Sequence, residues 1–411
     1  MGTALAEVRG LRLQTATDGH GAFRFGEPYA SHGRGPRVVN VATTLGGLDE
    51  QILESMTGGR LRQYFPWCET STQNAIDAYV RGHIPHVYIE LGKTCSLRCL
   101  YCDSPERREA PDALASEEIE RALDELQELG LQFVFICGYG EPTSDPRFMP
   151  LLRSVRRRGL HVSFFSNLLP ASANRAMLAE LVDLKPNVLV KCDTTDTGVS
   201  DKLLGVKGAT REILASLRFL CDNGFLELRG GYTNLGLSIV PTTYNIEQIL
   251  DTVDFAVSIG AYPAIGELEL KGRAGECGQA LAVGSQRLLQ LKDQIRARFG
   301  VLYERPLCQG IFCGLHVTET GDCVVDANSG LSCCWFLPNA EPTVLGNLRR
   351  DNVRGIWRSV IAQRHRQLDA TVSQLEAIPA IIGLGGGGIP RQWAGTYRDA
   401  TDRLVRLMSL L

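Results

Sequence analysis

From about residue 86 onward, short β-branched or aromatic runs alternate with longer amphipathic stretches. This alternation is typical of repeated strand–helix units with a parallel sheet. The predicted strands are HVYIEL (86–91), FVFIC (133–137), HVSFF (161–165), NVLVK (187–191), LGLSIV (235–240) and IGELEL (265–270). The predicted helices are 116–129, 146–158, 172–183, 209–223, 245–259 and 284–298. The sequence therefore predicts an α/β fold with a partial (β/α)6 TIM-like barrel, whose chemistry lies at the carboxyl ends of its strands.

The composition is that of a globular chain with an extensive core, because 44% of its 411 residues are hydrophobic. No segment approaches the roughly 20 apolar residues that span a bilayer, and the first residues hold no apolar stretch long enough for a signal peptide. Acidic and basic residues are interspersed, with a formal net charge of −3, so no basic patch for nucleic acid is expected. We therefore expect a cytoplasmic protein with neither a membrane nor a nucleic-acid partner.

Composition shifts divide the chain into four predicted regions. Residues 1–85 are an N-terminal extension with Gly- and Pro-containing turns, and residues 86–304 are the barrel core. Residues 305–368 form a Cys- and Gly-rich region that ends in a helix, and residues 369–411 form a helical C-terminal extension. The four glycines at 385–388 lack the strand, helix and lysine of a phosphate loop, so a hinge or lid is the better interpretation.

Cysteine clustering is the strongest chemical signal in the sequence. The run TCSLRCLYCDS places Cys95, Cys99 and Cys102 directly after the first predicted strand. Three thiolates on one loop can hold three irons of a four-iron cluster and leave the fourth iron open to an external ligand. The alternative, a zinc knuckle, requires a fourth protein ligand, and Asp103, a near neighbour, does not complete an ordinary Cys/His set.

This array resembles that of the radical S-adenosylmethionine (SAM) superfamily, and the resemblance extends over roughly 86–300. It implies that the three cysteines bind the cluster and that SAM chelates the open iron through its amino and carboxylate groups. Tyr101 matches the apolar or aromatic position that lies against the adenine. The stretch CGYGEPTSDP resembles the family's GGEP motif in a G-x-G-E-P form, with Tyr139 between the glycines. The motif residues carried over are Gly138, Gly140, Glu141 and Pro142. The Glu141 carboxylate is expected to accept hydrogen bonds from the SAM ammonium group.

Further positions match the family less specifically. Ser166 and Asn167 end the third strand and resemble a polar pair near the SAM ribose, although a capping Asn in a turn is an equally ordinary interpretation. Lys191 ends the fourth strand, where a cation could pair with the SAM carboxylate, and Arg273 is an alternative partner. Either cation would also be unremarkable at a surface.

A second group of cysteines lies at 308–334 in the pattern C-x4-C-x9-C-x9-C-C, followed by a LGN sequence and a helix ending in IW. It resembles the SPASM or twitch extension that follows the barrel in some radical SAM enzymes and holds auxiliary iron–sulfur clusters. The preferred ligands of one auxiliary four-iron cluster are Cys308, Cys313, Cys323 and Cys334, with Cys333 as the alternate to Cys334. A structural zinc site is the alternative that spacing alone leaves open.

The resemblance implies reductive cleavage of SAM to a 5'-deoxyadenosyl radical, with an electron from a flavodoxin- or ferredoxin-type donor. The leading hypothesis is a dehydrogenase-like oxidoreductase of natural-product biosynthesis acting on a small polar substrate, such as a sugar, an aminocyclitol or an amino-acid-like molecule. The alternatives are cross-linking or epimerisation of a ribosomally made short peptide, and small-molecule epimerisation. A non-enzymatic metal-sensing protein is the alternative from another class, and the Glu141 motif argues against it. No catalytic base or hydrogen donor is assigned.

Overall fold

The computed structural model describes residues 5–8, 11–14, 81–84, 86–92, 94–102, 112–138, 140–229, 232–266, 268, 272–277, 280–299, 315–325 and 343–359. Within these residues, no helix combines the length and the apolar character that crossing a bilayer requires.

The described strands, numbered in chain order, are β1 (Leu5–Val8), β2 (Leu11–Gln14), β3 (His86–Glu90), β4 (Phe133–Cys137), β5 (His161–Ser166), β6 (Asn187–Lys191), β7 (Leu228–Arg229), β8 (Tyr232–Thr233), β9 (Leu235–Ile239), β10 (Tyr262–Ile265), β11 (Leu315–Val317), β12 (Asp322–Val325) and β13 (Thr343–Asn347). The helices are α1 (Ser116–Glu128), α2 (Phe148–Arg157), α3 (Leu169–Ser172), α4 (Arg175–Leu184), α5 (Thr197–Leu204), α6 (Ala209–Asp222), α7 (Ile249–Ser258), α8 (Gly272–Cys277) and α9 (Ser285–Phe299). A tenth helix, α10, covers residues 353–359.

The main sheet has nine strands in the order β10-β9-β6-β5-β4-β3-β11-β12-β13. Strands β3, β4, β5, β6, β9 and β10 pair in parallel, each beside the next of the six along the chain. This arrangement confirms the predicted α/β fold with a partial parallel barrel. The carboxyl ends of its strands consequently meet at one edge of the sheet, where β3 leads into the cysteine loop.

The sixth predicted strand was placed wrongly. The structure has it at Tyr262–Ile265, where 265–270 was expected. Pro263 interrupts the strand pattern of this segment, because proline lacks the N–H that a central strand donates. In the described sheet β10 pairs on one side only, with β9, and an edge strand tolerates proline. A second difference is α5, which the sequence did not predict, and its N-terminus is capped by Asp196 through Gly198 N and Val199 N at 2.8 and 3.0 Å.

Part of the Cys-rich region continues the barrel sheet. Strand β11 pairs in parallel with β3, with His316 opposite Tyr88. Strands β12 and β13 then extend the sheet by antiparallel pairing. The described part of this region therefore shares backbone hydrogen bonds with the first strand of the barrel.

The two faces of the barrel sheet carry different cores. One face packs against the helices, as shown by the edge-on contact of Phe164 with Phe148 of α2, whose ring centroids lie 4.9 Å apart. Each such fully buried ring contributes roughly 1.5–3 kcal/mol. Alternate residues point to the inner face, where Tyr88, Phe133 and Phe135 form a separate cluster with Cys137. The barrel interior is thus lined by aromatic rings beneath the edge that carries the cysteine loop.

Candidate functional site

The cysteine loop that follows β3 is fixed from one side by the carboxyl end of α5. The amide of Arg98 donates to the carbonyl of Leu204 at 2.9 Å, and that of Leu100 donates to Leu203 at 2.8 Å. Gly205 ends the helix with φ +69, and a Cβ there would lie 2.3 Å from the Arg98 carbonyl oxygen. The close approach of the loop to this helix therefore requires glycine at 205.

Two further segments hold the loop from other sides. The amide of Glu141 donates to the carbonyl of Thr94 at 2.8 Å, which ties the loop to the G-x-G-E-P motif. The amide of Arg273, in α8, donates to the carbonyl of Cys102 at 2.9 Å, and its guanidinium Nη1 lies 3.4 Å from the Cys99 carbonyl oxygen. In this structure Arg273 acts on the loop backbone, and its pairing with the SAM carboxylate stays a prediction.

The three thiols differ in exposure. Cys95 is exposed, whereas Cys99 and Cys102 are partly covered. Burial raises the pKa of Cys99 to about 12, with Lys191 acting in the opposite direction and Asp193 in the same one. Among the residues that the structure describes, no three His, Cys, Asp or Glu side chains are gathered as ligands of a single ion. The donor chemistry of the loop nevertheless suits a cluster, because three thiols on one fixed loop can hold three irons of a four-iron cluster.

Gly138, the first residue of the motif, permits two strand ends to touch. A Cβ at Gly138 would lie 1.8 Å from the carbonyl oxygen of Leu91. The amide of Leu91 donates to the carbonyl of Cys137 at 2.6 Å. Gly138 is therefore required by the packing of these two strand ends. Tyr139 lies outside the described residues. Gly140 and Pro142 flank Glu141, and Pro142 opens a short 3-10 helix that ends at Ser144.

The side chain of Glu141 is buried, with only 2% of the residue exposed. Its Oε1 accepts hydrogen bonds from the amide and hydroxyl of Thr143, at 3.1 and 2.7 Å, and from the hydroxyl of Ser166 at 2.6 Å. Its Oε2 accepts from the amide of Asn167 at 2.7 Å. Burial raises the pKa of Glu141, and these bonds act in the opposite direction. Because a carboxylate offers about four acceptor positions, the protein itself occupies most of them.

Ser166 and Asn167, at the end of β5, contact the G-x-G-E-P motif and the cysteine loop. Both are buried. Besides its bond to Glu141, Asn167 accepts from the amide of Leu169 at 2.9 Å, as a turn residue does. Its Nδ2 lies 3.6 Å from the Sγ of Cys95 and donates to it. The structure therefore brings together Ser166, Glu141 and Cys95, while contact of the pair with the ribose stays a prediction.

Lys191, Tyr101 and Asp193 form a compact group at the end of β6. The hydroxyl of Tyr101 donates to Asp193 Oδ2. Lys191 Nζ donates to Asp193 Oδ1 at 2.8 Å and lies 4.6 Å from the centre of the Tyr101 ring. Burial and the Asp193 carboxylate raise the pKa of Tyr101. Asp193 thus connects Tyr101 and Lys191, two predicted site residues, but is not itself a predicted one. The period of two along the strand places Asp193 on the same side as Lys191.

Sequence reasoning also missed a buried pair on the inner face of the sheet. His316 Nε2 lies 2.9 Å from Glu90 Oε1, and both side chains are buried. Glu90 is the last residue of β3, at the edge that carries the cysteine loop. The two residues are 226 positions apart, so no motif spacing could reveal the contact. The only sequence signal is the inward position of Glu90 on its strand.

Of the second group of cysteines, Cys323 alone lies within the residues that the structure describes. Cys323 lies in β12, fully buried in the main core, with its Sγ 3.8 Å from the carbonyl oxygen of Gly321. Burial raises the pKa of its thiol. The other members lie outside the described residues, and they are Cys308, Cys313, Cys333 and Cys334. The ligand set of an auxiliary cluster stays a prediction.

The chain is similar to several known proteins. A family model described as the radical SAM superfamily matches residues 89–256. The mycofactocin maturase MftC of Mycobacterium ulcerans is 25% identical over 293 residues, which cover 68% of this chain and 75% of the relative. The PqqA peptide cyclase of Bradyrhizobium diazoefficiens is 25% identical over 43% of this chain and 44% of the relative. SuiB of Streptococcus suis, bound to precursor peptide SuiA, superposes with a TM-score of 0.50 at 15% identity over 67% of this chain and 65% of SuiB.

The partial parallel barrel and the matching family model define a class of enzymes that use an iron–sulfur cluster together with SAM. Residues 89–256 carry a radical SAM domain. SAM and a four-iron cluster are therefore its cofactors, and the cysteine loop carries the donor set that such a cluster needs. These findings bear out the recognition of a radical SAM enzyme of SPASM or twitch type, and leave the positions of the auxiliary ligands to experiment.

Proposed function

We propose that the protein oxidatively modifies a ribosomally made peptide. The observation that carries the proposal is the similarity, over 68% of the chain, to the maturase MftC, together with the similarity to a PqqA peptide cyclase. These relatives favour the peptide alternative over the small polar substrate that led the sequence-based hypotheses. The dehydrogenase-like character of the reaction is part of this proposal.

When bound, the cluster and SAM would supply the radical chemistry that removes a hydrogen atom from a carbon of the peptide. The protein contributes position and exclusion of water. Arg98, Leu100 and Cys102 hold the cysteine loop through backbone hydrogen bonds, so that three thiols stay on one rigid edge. The aromatic inner face with Tyr88 and Phe135 gives the reaction an apolar, water-poor interior.

An auxiliary cluster on the Cys-rich region would accept the electron that the substrate loses. The proposed ligands are Cys308, Cys313, Cys323 and one of Cys333 or Cys334. The hydrogen-bonded continuity of β11 with β3 supports this arrangement, because it fixes part of the region against the barrel. Cys323 is the member to test first, since its thiol faces the core.

The first experiment measures iron and SAM cleavage in anaerobically purified protein. Two four-iron clusters give about eight irons per chain, and a strong reductant should release 5'-deoxyadenosine from SAM. Replacing Cys95, Cys99 and Cys102 together by Ala should abolish the release. Cys308→Ala should roughly halve the iron and leave the release measurable, because the first cluster has its own loop. Cys323→Ala with full iron would remove Cys323 from the ligand set.

The second experiment tests the substrate class. Short peptides encoded beside the gene are incubated anaerobically with the enzyme, SAM and reductant, and the products are analysed by mass spectrometry. A peptide that loses hydrogen, with its loss prevented by the triple cysteine replacement, supports the proposal. Turnover of sugars or aminocyclitols in the absence of any peptide product would contradict it.

A further inference from the structure

Asp193 is not among the predicted cofactor-binding residues, yet its carboxylate has several hydrogen-bond partners beside the cysteine loop. Its side chain is fully buried, and its carboxylate accepts hydrogen bonds from three parts of the chain. These donors are the hydroxyl of Tyr101 in the cysteine loop, Nζ of Lys191 at 2.8 Å on β6, and the amide of Val240 at 2.8 Å after β9. A buried carboxylate with three donors is held in one position, because moving it would leave a charge unpaired.

The backbone around Asp193 is fixed as well. The side-chain amide of Asn245 donates to the carbonyl of Asp193 at 3.0 Å and to that of Val240 at 3.1 Å. Asn245 is itself completely buried, and its Oδ1 accepts from the amide of Thr242 at 2.7 Å. The aspartate is therefore anchored to two neighbouring strand ends before it touches the cysteine loop.

Tyr101 is the side chain whose position Asp193 can fix. The ring is held at its hydroxyl by Asp193 and over its face by Lys191, whose Nζ lies 4.6 Å from the ring centre. Such a cation over a ring is itself attractive. Tyr101 directly precedes Cys102 in the chain, so a fixed ring also restricts the third cysteine.

We propose that Asp193 is a positioning residue of the cofactor site, which sets the Tyr101 ring and the Lys191 ammonium for SAM from anchored strand ends. It acts through Tyr101 and Lys191, the two side chains that its carboxylate binds. Groups that orient the residues around a metal centre commonly change affinity or activity by about 10- to 100-fold when removed. The inference rests on the superfamily chemistry and not on the peptide substrate.

The test uses full-length protein purified anaerobically, with SAM alone as the probe. The variants are Asp193→Ala, Asp193→Asn and Tyr101→Phe, and the matched control is Asp124→Asn, which changes a carboxylate paired with Arg158 on the outer helices. Iron content, the EPR spectrum of the reduced cluster with and without SAM, and SAM affinity are measured for each. Asp193→Asn keeps an oxygen for the Lys191 and Val240 donors, whereas Tyr101→Phe removes only the hydroxyl.

The expected result is full iron content in all variants with SAM binding about 10- to 100-fold weaker in Asp193→Ala. Asp193→Asn should restore part of the affinity, and Tyr101→Phe should lower it. The two changes together should weaken binding less than the product of the single effects, because Asp193 acts partly through the hydroxyl. The SAM-dependent change in the EPR spectrum should shrink in parallel.

Three results would overturn the inference. The first is wild-type SAM affinity in Tyr101→Phe and Asp193→Asn, and the second is a loss of iron in proportion to the loss of SAM binding. The third is an equal loss in the Asp124→Asn control. If Asp193→Ala does not fold, Tyr101→Phe decides, since it leaves no buried charge unpaired.

Discussion

The Glu141 carboxylate accepts four hydrogen bonds from Thr143, Ser166 and Asn167. The family resemblance assigns this residue to the SAM ammonium, yet the structure shows it first as the tie between the motif and the end of β5. Both roles are compatible, because Oε2 carries a single bond from the protein and retains an acceptor position. If the structural role dominates, a substitution of Glu141 lowers stability, and if the contact with the SAM ammonium dominates, it lowers SAM affinity.

We expect Glu141→Ala to lower the free energy of unfolding by about 3 kcal/mol, since each buried donor left unsatisfied costs about 1–3 kcal/mol. Glu141→Gln keeps an oxygen for part of the donors and should lose less. Denaturant unfolding of both variants measures the effect. SAM affinity of the folded Glu141→Gln protein then tests the ammonium contact, and an Ala variant as stable as wild type would contradict the structural role.

Asn167 links the same network to the cysteine loop through its bond to Cys95 Sγ. An N–H group directed at a ligand sulfur stabilises the added negative charge of a reduced cluster, and hydrogen bonds to sulfur are among the groups that set cluster potentials. Asn167→Asp keeps the acceptor for the Leu169 amide but replaces the donor by an anion. We expect a more negative reduction potential, measured by EPR-monitored redox titration. Asn174→Asp, at the exposed start of α4, is the control.

At the scale of elements, Arg147 connects α2 to the Cys-rich region. Its guanidinium pairs with Asp145 at 2.6 Å and with Glu319 at 2.7 Å, and it donates to the carbonyl of Leu114 at 2.7 Å. Asp145 in turn accepts from the amide of Gly92 at 3.1 Å. All three charged side chains are largely buried. The turn after β11 is thus tied to the residues that follow the G-x-G-E-P motif.

Arg147→Leu should lower the free energy of unfolding by about 3 kcal/mol or more, because two buried carboxylates lose their cation. The matched change is Arg153→Leu on the same helix, whose pair with Glu180 is exposed to solvent and should contribute much less. Chemical denaturation compares the two variants. Equal losses would mean that helix α2 is sensitive to any substitution, and would remove the special role of Arg147.

The elements that could be predicted are those with a local signal. Strands β3 to β6 are short apolar runs bounded by turns, and each was placed within a residue or two. Strand β11 has three residues, LHV, and is too short to give a period of its own. Its place beside β3 depends on pairing across more than 200 residues, as the His316 contact with Glu90 does. Such contacts arise from the tertiary fold and leave no spacing in the sequence.

The candidate site follows the same rule. Cys95, Cys99, Cys102 and Glu141 could be found because their chemistry depends on spacing within a loop. Asp193 belongs to no local motif, since its partner Tyr101 is 92 positions away. The predicted cofactor-binding residues thus lie in local motifs, whereas the residues that hold them in place are recognisable only from the structure.

At the scale of the whole molecule, the predicted cofactor site and residues that serve mainly stability lie at opposite edges of the barrel sheet. The cysteine loop lies at the carboxyl edge of the sheet, whereas His161 begins β5 at the opposite edge. The His161 ring stacks on Phe133, with ring centroids 6.1 Å apart. Residues at this end of parallel barrels serve stability more often than catalysis. Stability can therefore be probed here without touching the cofactor site.

Burial, with a smaller contribution from Arg156, lowers the pKa of His161 from 6.5 to about 4. Between these values the unfolded chain binds a proton that the folded chain does not, so stability rises with pH and falls on acidification. The slope is roughly 1.4 kcal/mol per pH unit within the window, which gives a loss of about 2 kcal/mol between pH 6.5 and 5. Denaturant unfolding of wild type and His161→Gln at pH 7, 6 and 5 measures it, because the variant lacks this proton. The difference in unfolding free energy between the two proteins should shift with pH in favour of the variant as pH falls. A difference that stays constant from pH 7 to 5 would show that His161 titrates alike in the folded and unfolded states.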